Sequence, residues 1–201
     1  MKKIGKKKEE KKISFKDISI DDLEKEISRE KYVHSYSRIL KSTIYILIII
    51  IAASSIFATI LMPVVEVTNS SMKPLLNDGE IILTIKNASL KQGDLVAFYH
   101  GNKILIKRVI GVAGDVVNID IQGNVYVNGK LLKEDYVKEL KKGDVSVNFP
   151  MQVSDGSVFV LSDERDNLID SRMDEIGCVK KDDVIGKVFF RIWPIKQLGS
   201  I

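Results

Sequence analysis

Between Lys41 and Glu66 the chain runs 24 residues without a formal charge. The stretch Ser42–Met62 reads STIYILIIIIAASSIFATILM, and its polar side chains are hydroxyls. As a helix rising about 1.5 Å per residue it spans roughly 30 Å, the thickness of a bilayer core. Pro63 then ends the regular helix. A soluble helix this apolar would need a partner core on every face, more than the rest of the chain could supply. The run is too long, and lies too far behind 41 preceding residues, for a cleaved secretory leader, so it reads as an uncleaved anchor.

Charge is uneven about this segment. Residues 1–41 hold 13 Lys+Arg against 8 Asp+Glu, while the residues after it hold 18 against 19. The basic excess, with Arg38 and Lys41 next to the span, places the N-terminus in the cytoplasm and the C-terminal part outside. The expected organisation is a cytoplasmic basic tail and amphipathic helix (1–41), a transmembrane anchor (42–62) and an extracytoplasmic domain (63–201). The opening MKKIGKKKEEKK reads as a solvated tail. Ser19-Ile-Asp-Asp22 is a capping box for a helix over Asp21–Tyr36 that can run on into the span. The overall charge of +4 thus belongs to the tail. With no basic stripe or helix-turn-helix pattern in the outer part, nucleic acid is not an expected partner. One cysteine (Cys178) excludes an intrachain disulfide and a multi-cysteine zinc site, and two histidines (His34, His100) exclude a His-rich metal centre.

From Val64 the pattern changes to short runs rich in Val, Ile and Phe. They lie at Val64–Val67, Ile81–Ile85, Leu95–Tyr99, Ile104–Val112, Val116–Ile121, Val125–Val127, Val158–Leu161 and Val184–Trp193. Asn128-Gly129 marks a two-residue hairpin. The fold class expected is mostly β: an antiparallel domain behind one transmembrane helix. A short helix is expected, if anywhere, at Leu132–Leu140. The polar excursion Lys133–Pro150 has no readable role.

Three segments carry chemistry. Thr68-Asn-Ser-Ser-Met-Lys-Pro74 alone reads as a turn. Lys107 sits inside an apolar strand, where lysine is depleted; it is either outward-facing or buried for a reason. Ser162–Arg172 is a dense charged turn that alone would be an ordinary solvated loop.

Together they resemble, in order and spacing, the bacterial type I signal peptidases, in a Gram-positive-like short form with one N-terminal anchor. Ser71-Met-Lys-Pro74 resembles the family's S-M-x-P, and Gly93-Asp-Leu-Val96 its G-D-hydrophobic segment. Lys107–Asp115 carries K-R-V-I-G-x-x-G-D complete, and Gly186–Pro194 resembles G-K-x-x-F-R-I-W-P. The resemblance implies a membrane-bound serine endopeptidase that removes signal peptides from exported preproteins at the plasma membrane, without metal or cofactor. Its partners would be preproteins and the lipid bilayer.

By that resemblance Ser71 is the nucleophile and Lys107 the general base. A lysine is a base only when neutral. Working near neutral pH requires its reference pKa of about 10.4 to fall by roughly 3 units, or about 4 kcal/mol, which apolar burial can supply. The Ser71 N–H is the expected first oxyanion donor, and Asn69, where the family has Ser or Gly, could give a second through its amide. Asp163 would pair with Arg108 and Asp170 with Arg172. The family's lysine-orienting serine is Leu168 here and its first glycine is Ser162, so two readings stand: the Ser162 hydroxyl takes over, or the function is lost. Leu75 and Ala113 also depart from the family pattern. The resemblance further implies strand addition of the substrate beside Val64–Val67, with small-residue pockets lined by Val65, Val67, Leu76, Ile82, Leu105 and Ile106. The altered charged turn motivates a rival reading, a catalytically weak relative that binds extended peptides as an assembly factor.

Overall fold

The computed structural model describes residues 19–201, apart from Asp144, Leu168 and the side chain of Asp22. The basic opening therefore lies outside the described residues. The chain forms two units that divide between Ser55 and Ile56.

The first element is one continuous helix, α1, Ile20–Leu61. The amphipathic helix and the apolar span expected from sequence are a single rod. The stretch from Leu23 is long and apolar enough to cross a membrane and buries none of its surface in protein. Its hydroxyls turn back on the backbone: Thr43 Oγ1 donates to the Ile39 carbonyl at 3.0 Å and Thr59 Oγ1 to that of Ile56 at 2.8 Å. Such bonds let a hydroxyl sit in hydrocarbon without an unmet donor.

The remainder is antiparallel β. Its strands are β1 (Val64–Glu66), β2 (Ile81–Ile85), β3 (Leu95–His100), β4 (Lys103–Val112), β5 (Val116–Ile119), β6 (Val125–Val127), β7 (Lys130–Leu131), β8 (Met151–Gln152), β9 (Ser157–Leu161), β10 (Val179–Lys180), β11 (Val184–Trp193) and β12 (Gly199–Ser200). The larger sheet runs β1-β2-β11-β3-β4-β9-β10, with β12 on β11; the smaller runs β7-β6-β5-β8. The β6–β7 turn is the Asn128-Gly129 hairpin, with Val127 opposite Lys130 and φ of 53° and 76° at the two turn residues. Positive φ at both central positions is what a type I′ turn demands, and Asn and Gly tolerate it best.

Ten-residue β4 is the spine. It pairs with β3 along Lys103–Arg108, while β9 covers its other edge only from Arg108 onward. The first half of β4 therefore keeps one unpaired edge, as does β1 at the end of the sheet. Two apolar clusters face the two sides of the large sheet, one around Val65, Met72, Leu76 and Ile82, the other around Val96, Phe98, Val109 and Val160. A third joins the sheets through Ile110, Val117, Phe159 and Leu161.

Leu132–Leu140 is not a helix but an irregular strap of turns. The physical reason is lateral: Leu132 N–H donates to the Val125 carbonyl, the Glu134 side chain pairs with Arg165, and the Tyr136 ring lies against Arg108. The one- and two-residue offsets at other strand ends reflect fraying, and β7, β8, β10 and β12 are too short to leave a periodic signal.

Phe159 has 0% exposure and sits where the third cluster meets β9. Phe159→Ala should lower the unfolding free energy by about 3–5 kcal/mol. Thermal or denaturant unfolding of the full chain in detergent measures this; a loss below 1 kcal/mol would show that β9 does not anchor the core.

Candidate active site

Ser71 lies in the loop between β1 and β2, and Lys107 lies in β4; both have 0% exposure. The loop is folded by short-range bonds. Lys73 N–H donates to the Ser70 carbonyl and Leu76 N–H to that of Met72, and Met72 and Leu76 are buried below it. Ser71 Oγ lies 3.5 Å from the Ile106 carbonyl, the group just before Lys107. From the other side, Glu164 N–H donates to the Ser71 carbonyl at 2.9 Å. The charged turn is thus pinned to the serine loop, with β4 alongside.

Lys107 Nζ donates to Ser162 Oγ at 2.8 Å. The serine that stands where the family has glycine supplies the hydroxyl on the lysine. Leu168, the position of the usual serine, lies outside the described residues.

The buried cations around this point differ in their partners. Arg108 meets Asp163 through two hydrogen bonds, of 2.8 and 2.6 Å. Arg172 meets Asp170 through two more, of 2.9 and 2.8 Å. Arg165 is paired with Glu134. Lys107 alone of these four has no carboxylate within ion-pair distance among the described residues.

Burial lowers the Lys107 pKa from its usual 10.5 to about 8; Asp170 and Asp163 pull it up, Arg172 pushes it down, and burial prevails. Burial works against the Asp170 carboxylate too. There the Arg172 guanidinium and the Ser162 and Arg172 N–H groups win and hold it below the ordinary value. For Arg108, burial is outweighed by the hydrogen bond and charge of Asp163, so it stays cationic. The turn is a set of satisfied ions around one lysine that is easy to neutralise.

Asn69 departs from expectation. Its Oδ1 accepts from Ser71 N–H at 3.0 Å and from Ser71 Oγ at 2.6 Å. The oxygen end, not the amide N–H, faces the serine, and it occupies the backbone donor expected for an oxyanion. The cause is the turn: an Asn side chain readily accepts the N–H two residues on. Asp163, Arg108, Asp170 and Arg172 make the pairs expected of them. Val65, Val67, Leu76, Ile82 and Ile106 pack in one buried cluster, and Leu105 sits in the neighbouring one. Sequence reasoning missed Arg165, Glu134 and Tyr136. The one available hint, an arginine inside the charged turn, did not say what it would pair with.

The serine and the easily neutralised lysine are both buried in an antiparallel β domain that follows, in the sequence, a helix long and apolar enough to cross a membrane. Residues 39–193 match the family described as signal peptidase, peptidase S26. Signal peptidase I of Streptococcus pneumoniae is 30% identical, the match covering 68% of this chain and 84% of that protein. Signal peptidase IB of Staphylococcus aureus is 36% identical over 65% of this chain and 78% of its own length. A solved signal peptidase I from Enterococcus faecalis is 27% identical, the match covering 50% of this chain and 97% of that one at a TM-score of 0.42. The chain belongs to the signal peptidase family.

Burying Lys107 has a cost that depends on pH. Its folded pKa of about 8 lies below the usual 10.5, so the folded state binds fewer protons between those values and stability rises with pH across that window. Below pH 8 the full penalty stands. Lys107→Met should therefore stabilise the domain at pH 7 by about 1–3 kcal/mol, and by less at pH 10. Denaturant midpoints at the two pH values check this, and equal or lower stability of the variant at pH 7 would contradict it.

Proposed function

We propose that this chain is a membrane-bound endopeptidase that cuts signal peptides from exported preproteins, with Ser71 as nucleophile and Lys107 as general base. The observation that carries the reading is the buried Lys107, hydrogen-bonded to a neutral hydroxyl while each neighbouring guanidinium has its own carboxylate.

Ser71 Oγ–H turns from Asn69 towards Lys107 and gives up its proton as Oγ attacks the scissile carbonyl. A new O–C bond forms, the carbonyl becomes an oxyanion, and Lys107 becomes an ammonium. Collapse breaks the C–N bond, and Lys107 returns its proton to the leaving amine. Water, deprotonated by the neutral lysine, then attacks the acyl carbon; the C–O bond to Ser71 breaks, and Lys107 returns the proton to Ser71 Oγ. The Ser162 hydroxyl orients Lys107 in each step. Asn69 must release the Ser71 N–H before that group can serve the oxyanion. Rotation of its amide would also bring Nδ2 to bear, so one side chain guards the donor at rest and supplements it in the transition state.

Two free edges, β1 and the first half of β4, suit a substrate that adds as an extended strand. By the resemblance, Val65, Val67, Leu76, Ile82, Leu105 and Ile106, all buried, would line pockets for small side chains, such as Ala at −1 and −3 of the cut. The anchor holds the site at the plasma membrane, with the N-terminus cytoplasmic and residues 63–201 outside. No metal or cofactor takes part in this scheme. The rival reading, a peptide-binding assembly factor without activity, finds no support in the relatives.

The test is cleavage of a preprotein whose signal ends in Ala-x-Ala, by the full chain in detergent. Wild type should cut after the last Ala, and Ser71→Ala or Lys107→Ala should lower kcat by about 10⁴-fold or more. Uncut preprotein with folded wild type would overturn the proposal. Ser162→Ala should lower kcat about ten- to hundredfold with KM nearly unchanged. Asn69→Ala should lose activity and Ser70→Ala should not; equal activities would remove Asn69 from the mechanism.

A further inference from the structure

The excursion after β7 has a place in the structure that its sequence did not disclose. Glu134 reaches into the charged turn and pairs with Arg165, with side-chain exposures of 3% and 1%. Arg165 Nε in turn donates to the Ser162 carbonyl at 2.9 Å. Ser162 is therefore held at both ends, its carbonyl by Arg165 and its hydroxyl by Lys107. Tyr136 supports Glu134: its OH donates to Glu134 Oε1 at 2.9 Å, and its ring lies 4.1 Å from the Arg108 guanidinium. The strap is fixed at its far end as well. Arg172 Nη1 donates to the Lys141 and Lys142 carbonyls at 3.2 and 3.1 Å. Gly123 backs Lys141 so closely that a Cβ there would come within 2.6 Å of its backbone nitrogen.

Charge gives this contact a function. Without Glu134, the turn sets three buried guanidiniums, Arg108, Arg165 and Arg172, against two carboxylates, Asp163 and Asp170. Glu134 supplies the third. Its other oxygen, Oε2, is buried with no hydrogen-bond partner among the described residues, so Arg165 is the group that offsets the cost of burying this carboxylate. Removing one member of such a pair strands a buried charge, and the stranded group moves towards water.

We infer that Glu134 is a positioning residue of this site: by neutralising Arg165 it keeps the Ser162 backbone in place and so fixes the hydroxyl that orients Lys107. The inference rests on the Ser71–Lys107 reading. If Arg165 leaves, the turn opens and water reaches Lys107. The groups facing Lys107 are the Ser162 hydroxyl, Asp170, Arg172 and Asp163; those facing Glu134 are Arg165, Tyr136, Arg108 and Asp163. Burial is the dominant cause of the lowered Lys107 pKa, so admitting water raises it and moves the acidic limb of activity to higher pH.

The experiment measures kcat, KM and the pH dependence of kcat/KM for preprotein cleavage by the full chain in detergent. Glu134→Gln keeps the shape and removes the charge. It should lower kcat about ten- to hundredfold with KM nearly unchanged, and move the acidic limb to higher pH. Asp135→Asn, at an exposed neighbour on the same strap, should match wild type. If Glu134→Gln does not fold, Tyr136→Phe decides, because it removes only the hydroxyl bonded to Glu134. A lower kcat with a raised limb supports the inference, and wild-type behaviour overturns it. An inactive Ser71→Ala beside a folded Glu134→Gln with wild-type kcat and pH profile overturns this inference alone. Wild-type cleavage by Ser71→Ala overturns it together with the reading of the site.

Discussion

A buried lysine with no carboxylate in ion-pair distance among the described residues is the constraint around which the rest of this domain is arranged. An ammonium in an apolar interior is costly, and most buried cations are paired to offset that cost. The neighbouring arginines follow the rule, each with an acid. Lys107 receives a hydroxyl instead, and the result is a side chain that gives up its proton near pH 8. The same burial that weakens the fold at neutral pH is what would let the lysine act as the base in the proposed mechanism.

The scaffold explains how such a residue is kept in place. β4 pairs with β3 at Lys107 and with β9 from Arg108 onward, so Lys107 is held along one edge while Arg108, next in the strand, reaches Asp163. The charged turn follows directly from β9, whose Phe159 and Leu161 are core residues, and it bonds back to the serine loop through Glu164 N–H. Serine and lysine therefore come from loops and strands that share hydrogen bonds and a core, not from independent surface segments. In the proposed reading the apolar helix supplies membrane attachment and the chemistry belongs to the β domain.

Much of this was legible in the sequence. Strand positions followed from β-branched runs bounded by Gly, Asn and Asp, and Asn128-Gly129 fixed its hairpin because two positive φ values leave little choice of residue. Ser71 and Lys107 stood out as candidates because a lysine within an apolar strand is anomalous and its motif neighbours are present. The Ser162 substitution could be framed as a choice, and the geometry puts its hydroxyl on Lys107. Contacts made across long sequence separations were not legible. Glu134 and Arg165 lie 31 residues apart, and nothing local marks either as a partner of the other. Leu132–Leu140 has helical composition, but Glu134 within it pairs with Arg165 of the charged turn. The orientation of Asn69 was equally hidden, because an amide offers a donor and an acceptor and only the fold selects between them.

The central claim concerns one proton. Lys107 carrying a ¹³C label at its ε-carbon, assigned by loss of its signal in Lys107→Met, can be titrated by NMR in the detergent-solubilised full chain. The account predicts a chemical-shift midpoint near pH 8, set apart from the exposed lysines. A midpoint near 10.5 would show that Lys107 is solvated and charged at working pH, and would contradict its role as the base.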